Sequence, residues 1–318
     1  MEFTFGSDPE FILVDEKGKL KSAINVVPGN KEKKFEKDGN FFFYDNVLAE
    51  CTVNPASSPE EAVEKLSNSL RSMAEIVAPL KITSISAGYF EEGEMNHKDA
   101  RKAGCAMEMC AYSMRTIPPG KVKKFFKNEN FRTAGGHVHL GTSMGMDHEK
   151  SLMLVRMLDL FLGIPSLVMD DSQMTVERRR IYGKPGRYRQ PKHGIEYRTP
   201  GNFWISSPKL ARLFFEICQE VIKLTEDRVY HEFWEVDQET LDSDDFWNEC
   251  GDPSKCHQCR GYDVDSLRDA FGMERKEMKS KIEPFMNLAF KYLPKRIKDK
   301  VSNLQDSRFD IYDEWNLI

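Results

Sequence analysis

Phe131-Arg-Thr-Ala-Gly-Gly-His137-Val-His139-Leu-Gly-Thr142 reads as a β-strand entered through two glycines, with imidazoles at i and i+2. Side chains two apart on a strand share a face, about 6.5–7 Å from one another. The paired glycines remove bulk where a phosphate or another backbone comes close. Neutral imidazole is a common metal ligand, but a polar sheet face without metal explains such a strand equally well. The other strands decide between the two.

Three further segments carry polar pairs that an ordinary amphipathic strand does not need. Gly6-Ser-Asp8-Pro-Glu10-Phe-Ile-Leu-Val14 places two carboxylates at i, i+2 at the start of an apolar strand. Phe41-Phe-Phe-Tyr-Asp45-Asn46-Val-Leu-Ala-Glu50 ends a strand in acidic residues, and Gly194-Ile-Glu196-Tyr-Arg198-Thr-Pro200 sets a carboxylate two residues from a guanidinium. Carboxylates, imidazoles and an arginine drawn from separate strands suit divalent cations that hold a polyphosphate.

The basic stretch from Arg178 to Lys192 joins this set. Arg178, Arg179, Arg180, Lys184, Arg187, Arg189 and Lys192 are interleaved with Gly183, Pro185 and Gly186. An exposed basic loop is the bland reading. Because the stretch feeds directly into Glu196 and Arg198, a phosphate clamp is favoured, in which guanidinium forks grip phosphate oxygens and glycines allow close backbone approach.

Bulk properties fit an enzyme-sized globular chain. At 318 residues, with 40% hydrophobic and 31% charged residues, it can bury a large core. A net charge of −5 argues against general nucleic-acid binding. No uninterrupted apolar run approaches about 18 residues, and the chain starts directly as structure, so neither a membrane span nor a signal peptide is expected. Seven cysteines, an odd number, suit a reducing cytoplasm better than a disulfide scaffold.

Along the chain, residues 9–15 and 40–53 read as strands, with Asn54-Pro55 ending the second. Ser58-Pro59-Glu60-Glu61 then gives a capping box that opens a helix with Val63, Leu66, Leu70, Met73 and Val77 on one stripe. Pro79 stops it, and a strand resumes at Ile82. Glu91, Glu92, Glu94 and His97 read as solvated surface, as do Lys121, Lys123, Lys124 and Lys127. Gly104 to Met109 suggests a short strand. Residues 147–170 carry an apolar helix broken near Gly163-Ile-Pro165, and 207–231 form another, with Leu210, Leu213, Phe214, Ile217 and Val221 inward. The acidic segment 232–252 resembles a surface or lid. Cys250, Cys256, His257 and Cys259 have a single C-x-x-C and no matching pair, so structural zinc is not favoured. One catalytic domain, residues 1–231, followed by an acidic segment and helical appendage, 232–318, packed on it, is the expected organisation.

No P-loop or protein-kinase signature occurs, and no nucleophile set of the Ser-His-Asp or Cys-His kind is evident. Phosphoryl transfer remains the best-supported chemistry.

Taken together, Gly6-Ser-Asp-Pro-Glu10-Phe, Asp45-Asn-Val-Leu-Ala-Glu50, the His137-Val-His139 strand, Arg178-Arg-Arg-Ile-Tyr-Gly-Lys184 and Glu196-Tyr-Arg198-Thr resemble phage-type carboxylate–amine ligases. These amidoligases belong to the glutamine synthetase and glutamate–cysteine ligase superfamily. The resemblance spans about residues 5–205 and implies a glutamine-synthetase-like α+β fold. In that fold a curved antiparallel sheet, flanked by helices, forms a funnel around ATP and two or three Mg²⁺ or Mn²⁺ ions.

Residue by residue, the resemblance implies that Asp8, Glu10, Glu50, His137 and Glu196 bind metal, with Asp45 or Asn46 a weaker candidate beside Glu50. It places His139 and Lys184 near the nucleotide, Arg198 on the transferred phosphoryl, and Arg180 and Arg187 at phosphate- or substrate-binding positions. Asp8 is shorter than the glutamate that glutamine synthetase has there. The implied substrates are small molecules or peptides bearing a carboxylate and an amine, joined through an acyl phosphate. No nucleic-acid or membrane partner is expected, the location is the cytoplasm (of the host, if phage-encoded), and nothing specifies an oligomeric state. A guanidino-kinase-like phosphotransferase on the same fold, or a non-catalytic structural phage protein, are the alternatives.

Overall fold

The computed structural model describes residues 3–102, 108–112, 114–117, 130–146, 148–172, 174–232, 273, 275–304 and 307–317. In chain order the strands are β1 (Thr4–Ser7), β2 (Glu10–Val14), β3 (Leu20–Lys21), β4 (Phe35–Lys37), β5 (Asn40–Asp45), β6 (Leu48–Ala56) and β7 (Lys81–Thr83). They continue with β8 (Ala87–Tyr89), β9 (Glu108–Cys110), β10 (Arg115–Ile117), β11 (Phe131–Thr133), β12 (Val138–Gly141), β13 (Arg187–Arg189) and β14 (Gly194–Tyr197).

Twelve of these strands form one mixed-order antiparallel sheet that is not closed. Its main path runs β10-β9-β13-β14-β12-β1-β6-β2-β3, with the β4–β5 hairpin on β6 and β7 on β2, while β8 and β11 pair separately. The fold is therefore α+β, a large antiparallel sheet with helices packed on it.

Alternation along the strands explains which face the helices cover. Phe5 and Ser7 of β1, Val138 and Leu140 of β12, Ile195 and Tyr197 of β14 and Tyr188 of β13 are all buried. The intervening residues, Gly6, His139, Glu196, Arg187 and Arg189, point to the opposite face. On the helix side Phe5 meets the edge of Trp204 (5.9 Å between centroids) and tilts against Phe215 (5.4 Å), while Trp204 stacks on Phe214 at 5.1 Å. Full burial of one such aromatic or aliphatic side chain contributes roughly 1.5–3 kcal/mol.

The Pro59–Val77 helix starts as its sequence dictates: Ser58 Oγ accepts from Glu61 N–H at 3.2 Å, and proline sits in the first turn. Leu66, Leu70, Met73 and Val77 are buried, with Ala62 rather than Val63 completing the stripe. Ser207 caps the Pro208–Glu226 helix in the same manner, accepting from Lys209 and Leu210, and its inward residues are those the spacing indicates.

Four expectations need correction. Residues 40–53 are two strands: Asn46 turns the chain at positive φ (49°), and Glu50 lies inside β6 rather than at a strand end. Asn54-Pro55 does not stop β6, which runs to Ala56. The expected strand at 9–15 is preceded by a second one, β1, with Asp8-Pro9 as the break. The helix after β12 does not break at Gly163-Ile-Pro165. It runs from His148 to Leu158, passes through a π-helical turn at Asp159–Gly163 and continues over Ile164–Met169. The wider turn leaves room for Pro165 without ending the helix.

His148–Met169 is long and apolar enough to cross a membrane, and its apolar stretch is wholly buried inside the protein. Arg156 and Asp159 interrupt its apolar run, which is why no continuous run marks it. Both are buried, Arg156 donating to Ala111 O and Asp159 accepting from Tyr197 Oη and Gly186 N.

The C-terminal helices Arg275–Tyr292, Lys295–Leu304 and Ile311–Trp315 send Ile282, Phe285, Ala289, Ile297, Val301 and Trp315 into the same hydrophobic core as the sheet. Trp315 also donates its indole N–H to Ile205 O at 2.7 Å. The expected lid at 232–252, the lysines between 121 and 127, and Cys250, Cys256, His257 and Cys259 lie outside the described residues, apart from Glu232. Cys51, Cys110 and Cys218 are buried free thiols.

Candidate active site

The strand registers bring the polar pairs into rows. Gly6 of β1 faces His139 of β12, His139 faces Glu196 of β14, and Glu196 faces Arg189 of β13. One step along the sheet, Glu10 of β2 stands opposite Glu50 of β6. Asp8 sits in the break between β1 and β2, where neither strand's alternation constrains it.

The two glycines before β12 serve backbone packing. A Cβ on Gly136 would lie 2.6 Å from Gly201 O and from Trp204 Nε1. Gly135 N–H donates to Glu10 Oε2 at 2.6 Å, and Glu10 N–H donates to Gly135 O at 3.0 Å. The glycine turn thus fixes the Glu10 carboxylate from both ends.

Two donor sets result. In the first, Asp8, His139 and Glu196 each offer an atom within 4.8 Å of the others. In the second, Glu10, Asp45 and Glu50 do the same. His137 is close to the first set, with Nδ1 at 3.2 Å from Asp8 Oδ1 and 3.7 Å from Glu196 Oε1. Its Nε2 lies 3.2 Å from Tyr182 Oη, so the imidazole is held between Tyr182 and the carboxylates.

Electrostatics in the two sets differ. Burial raises Asp8, but the imidazoles of His139 and His137 outweigh it and hold its carboxyl well below the ordinary range. Burial lowers His139, yet Asp8 reverses this and raises it. Burial, reinforced by Arg198, pushes His137 down to about 3, leaving a neutral imidazole. In the second set burial, followed by the charge of Asp45, raises Glu10 to about 7, and burial with Asp8 and Glu10 raises Glu50 further above its usual value. Glu196 is also raised, by burial and then Asp8.

Arginines border the first set. Arg198 binds Glu196 and Tyr182 Oη, and Arg189 Nη1 lies 3.2 Å from Glu196 Oε1. Arg187 Nη1 approaches Glu108 Oε1 at 3.0 Å, while Arg198 Nε approaches Glu108 Oε2 at 3.4 Å. Lys31 does the corresponding work at the second set, with Nζ 2.6 Å from Asp45 Oδ2.

The donor chemistry fits divalent cations. Three carboxylates in the second set suit a hard ion such as Mg²⁺, and the imidazole in the first also accepts Mn²⁺. Asp8 Oδ1 and His139 Nε2 are buried, lie 3.1 Å apart, and neither has an aligned hydrogen-bond partner. Buried polar atoms left in that condition call for a ligand.

The structure therefore brings together Asp8, Glu10, Glu50, His137, His139, Glu196, Arg187 and Arg198. Arg180 is exposed in the last turn of the Thr175–Ile181 helix. Lys184 is half-buried in the turn before β13, where its carbonyl accepts from Thr199 Oγ1 at 3.1 Å. Arg178 is a structural staple rather than part of a clamp: it is buried and donates to the carbonyls of Ala134, Thr199 and Pro200. Sequence reasoning gave no role to Glu108, Tyr182, Lys31 or His193, whose ring stacks on His139 at 5.6 Å. Glu108 comes onto the site face through the register of β9 on β13, a pairing that no local sequence signal marks.

Comparison with known families bears on this geometry. Residues 115–240 match the family described as Phage phiEco32-like COOH.NH2 ligase-type 2. The matched stretch contains β12, the basic turn, β13 and β14, and with them His137, His139, Glu196 and Arg198. The match supports a phage-type amidoligase family, in agreement with the resemblance of the motifs. No curated protein matches the chain.

Proposed function

We propose that the protein is an ATP-dependent carboxylate–amine ligase of glutamine-synthetase-like type, working with two or three Mg²⁺ or Mn²⁺ ions in the cytoplasm. Residues 1–231 form its catalytic part, and the described helices within 232–318 pack on it as an appendage. The observation that carries this reading is the meeting of two donor sets on one sheet face, bordered by Arg187, Arg189 and Arg198.

Asp8, His139 and Glu196 would hold one cation and Glu10, Asp45 and Glu50 another, with His137 beside the first. Bound cations neutralise the phosphate oxygens and so let a substrate carboxylate approach the γ-phosphate. Arg198, which rests on Glu196, would turn to the transferred phosphoryl group, where a preorganised guanidinium stabilises developing charge. Arg187 supports the same anion, and Lys184 and Arg180 bind farther along the nucleotide or substrate. His139 changes role in this reading: its Nε2 faces Asp8, so it serves the cation as well as the phosphates.

The substrate carboxylate oxygen attacks the γ-phosphorus and ADP departs, giving an acyl phosphate. An amine nitrogen then attacks the carbonyl carbon, the C–O bond to phosphate breaks, and an amide or isopeptide bond remains with inorganic phosphate. The test is incubation with ATP, Mg²⁺ and pooled carboxylic acids, amino acids and amines, followed by mass spectrometry. A ligase yields ADP, free phosphate and a condensed product. Phosphate retained on an acceptor would indicate a phosphotransferase, and ATP left intact with every pool would overturn the proposal.

A further inference from the structure

We infer that Glu108 is the catalytic residue that receives the amine substrate as an ammonium ion and takes its proton. This rests on the ligase reading above and names a group for its second half-reaction.

Among the described residues, the carboxylates on this face divide cleanly. Asp8 and Glu196 belong to one donor set, and Glu10, Asp45 and Glu50 to the other. Glu108 is left over. It is 9% exposed, in a three-residue strand that pairs with β13 and places it on the face carrying Arg187. A carboxylate buried there for structural reasons alone would be expected to accept aligned hydrogen bonds. Glu108 instead has charge contacts, to Arg187 Nη1 at 3.0 Å and Arg198 Nε at 3.4 Å, and neither nitrogen has a hydrogen-bond partner. Its acceptor directions are not directed into those two guanidiniums. Among the described residues, the charged groups in contact with it are these two arginines, and Arg198 is the residue assigned to the phosphoryl group.

The position matches the chemistry that remains. An alkylamine at neutral pH is almost wholly protonated, with a reference value near 10.4 for a lysine-like amine, and an ammonium ion has no lone pair with which to attack. Turning Arg198 to the phosphoryl group frees the Glu108 oxygen it now faces, next to the acyl phosphate. The ammonium binds Glu108 and gives it one proton. The neutral nitrogen forms the N–C bond as the C–O bond breaks, and the second proton leaves with the phosphate as hydrogen phosphate.

The experiment compares Glu108→Gln and Glu108→Asp with the unaltered protein, using ATP, Mg²⁺, pooled carboxylic acids, and either hydroxylamine or pooled primary amines as nucleophile. Hydroxylamine is already neutral at pH 7 and needs no base. In Glu108→Gln the yield of amide relative to hydroxamate should fall about 10³-fold at pH 7, in line with the fraction of free amine. Amide formation should then climb about tenfold per pH unit, following the free amine. Glu108→Asp should recover part of the loss. Equal loss of both products, with no change in pH slope, would reduce Glu108 to a positioning residue for Arg187 and Arg198 and overturn the inference, as would an unchanged ratio. Failure of the unaltered protein to form either product would instead remove the ligase reading itself.

Discussion

Glu10 and Glu50 stand directly opposite one another across β2 and β6, both with strongly raised carboxyls. Like charges in that relationship destabilise a sheet, so the fold tolerates here a pair that only a cation would make favourable. Glu50→Gln should therefore raise the stability of the metal-free protein by about 1 kcal/mol while weakening cation binding. Chemical denaturation with and without Mg²⁺ measures both effects.

The pH dependence follows from the same burial. Glu10 and Asp159 are each raised to about 7 by burial, and Glu50 and Glu196 are raised as well. Such groups bind more protons in the native state than in the unfolded chain. The stabilising contribution of Glu10 and Asp159 is complete below the unfolded carboxyl range near 4 and is lost as pH rises through about 7, and that of Glu50 and Glu196 is lost as pH rises above the ordinary carboxyl range. Metal-free stability should fall across that window, by at most about 1.4 kcal/mol per pH unit for each group titrating. Asp8 works in the opposite sense, contributing stability above its ordinary range that is lost in acid. Asp159→Asn should flatten the decline, and saturating Mg²⁺ should flatten it further; denaturation series from pH 4 to 8 test both.

Lys31 competes with any cation at Glu10, Asp45 and Glu50, since its ammonium already contacts Asp45. The side chain is nearly half exposed, so solvent screens much of the interaction. Lys31→Met should tighten Mn²⁺ binding by about three- to tenfold, measurable by calorimetric titration.

Arg178 and Arg198 should behave as opposites despite their shared chemistry. Arg178 holds three buried carbonyls, and Arg178→Met should cost about 2–4 kcal/mol of stability. Arg198→Ala should leave a folded protein, with ATP turnover down by about 10²–10³. Thermal unfolding together with ADP release separates the two.

These contrasts show what was legible in the chain. The carboxylate and imidazole pairs were readable because they interrupt strands that otherwise alternate apolar residues. Capping at Ser58 was readable because it is local. Arg178 was misjudged as part of a phosphate clamp because charge density in a sequence does not tell which guanidinium turns inward to backbone carbonyls. The turn at Asn46 was hidden inside Phe41–Glu50, where one residue at positive φ converts a long strand into a hairpin. Glu108, Tyr182 and Lys31 reach the site through strand pairing and loop placement over distances of tens to more than a hundred residues, which no local pattern encodes. The π-turn at Asp159 was invisible for the same reason: its partners Tyr197 and Gly186 come from later strands and turns.

Counting bound ions tests the central claim most directly. Titration of Mn²⁺ in the presence of a non-hydrolysable ATP analogue, followed by electron paramagnetic resonance, should give at least two ions per chain. Glu196→Gln and Glu50→Gln should each lose a different one. A protein that binds no Mn²⁺, or whose bound ions are unaffected by both substitutions, would contradict the account.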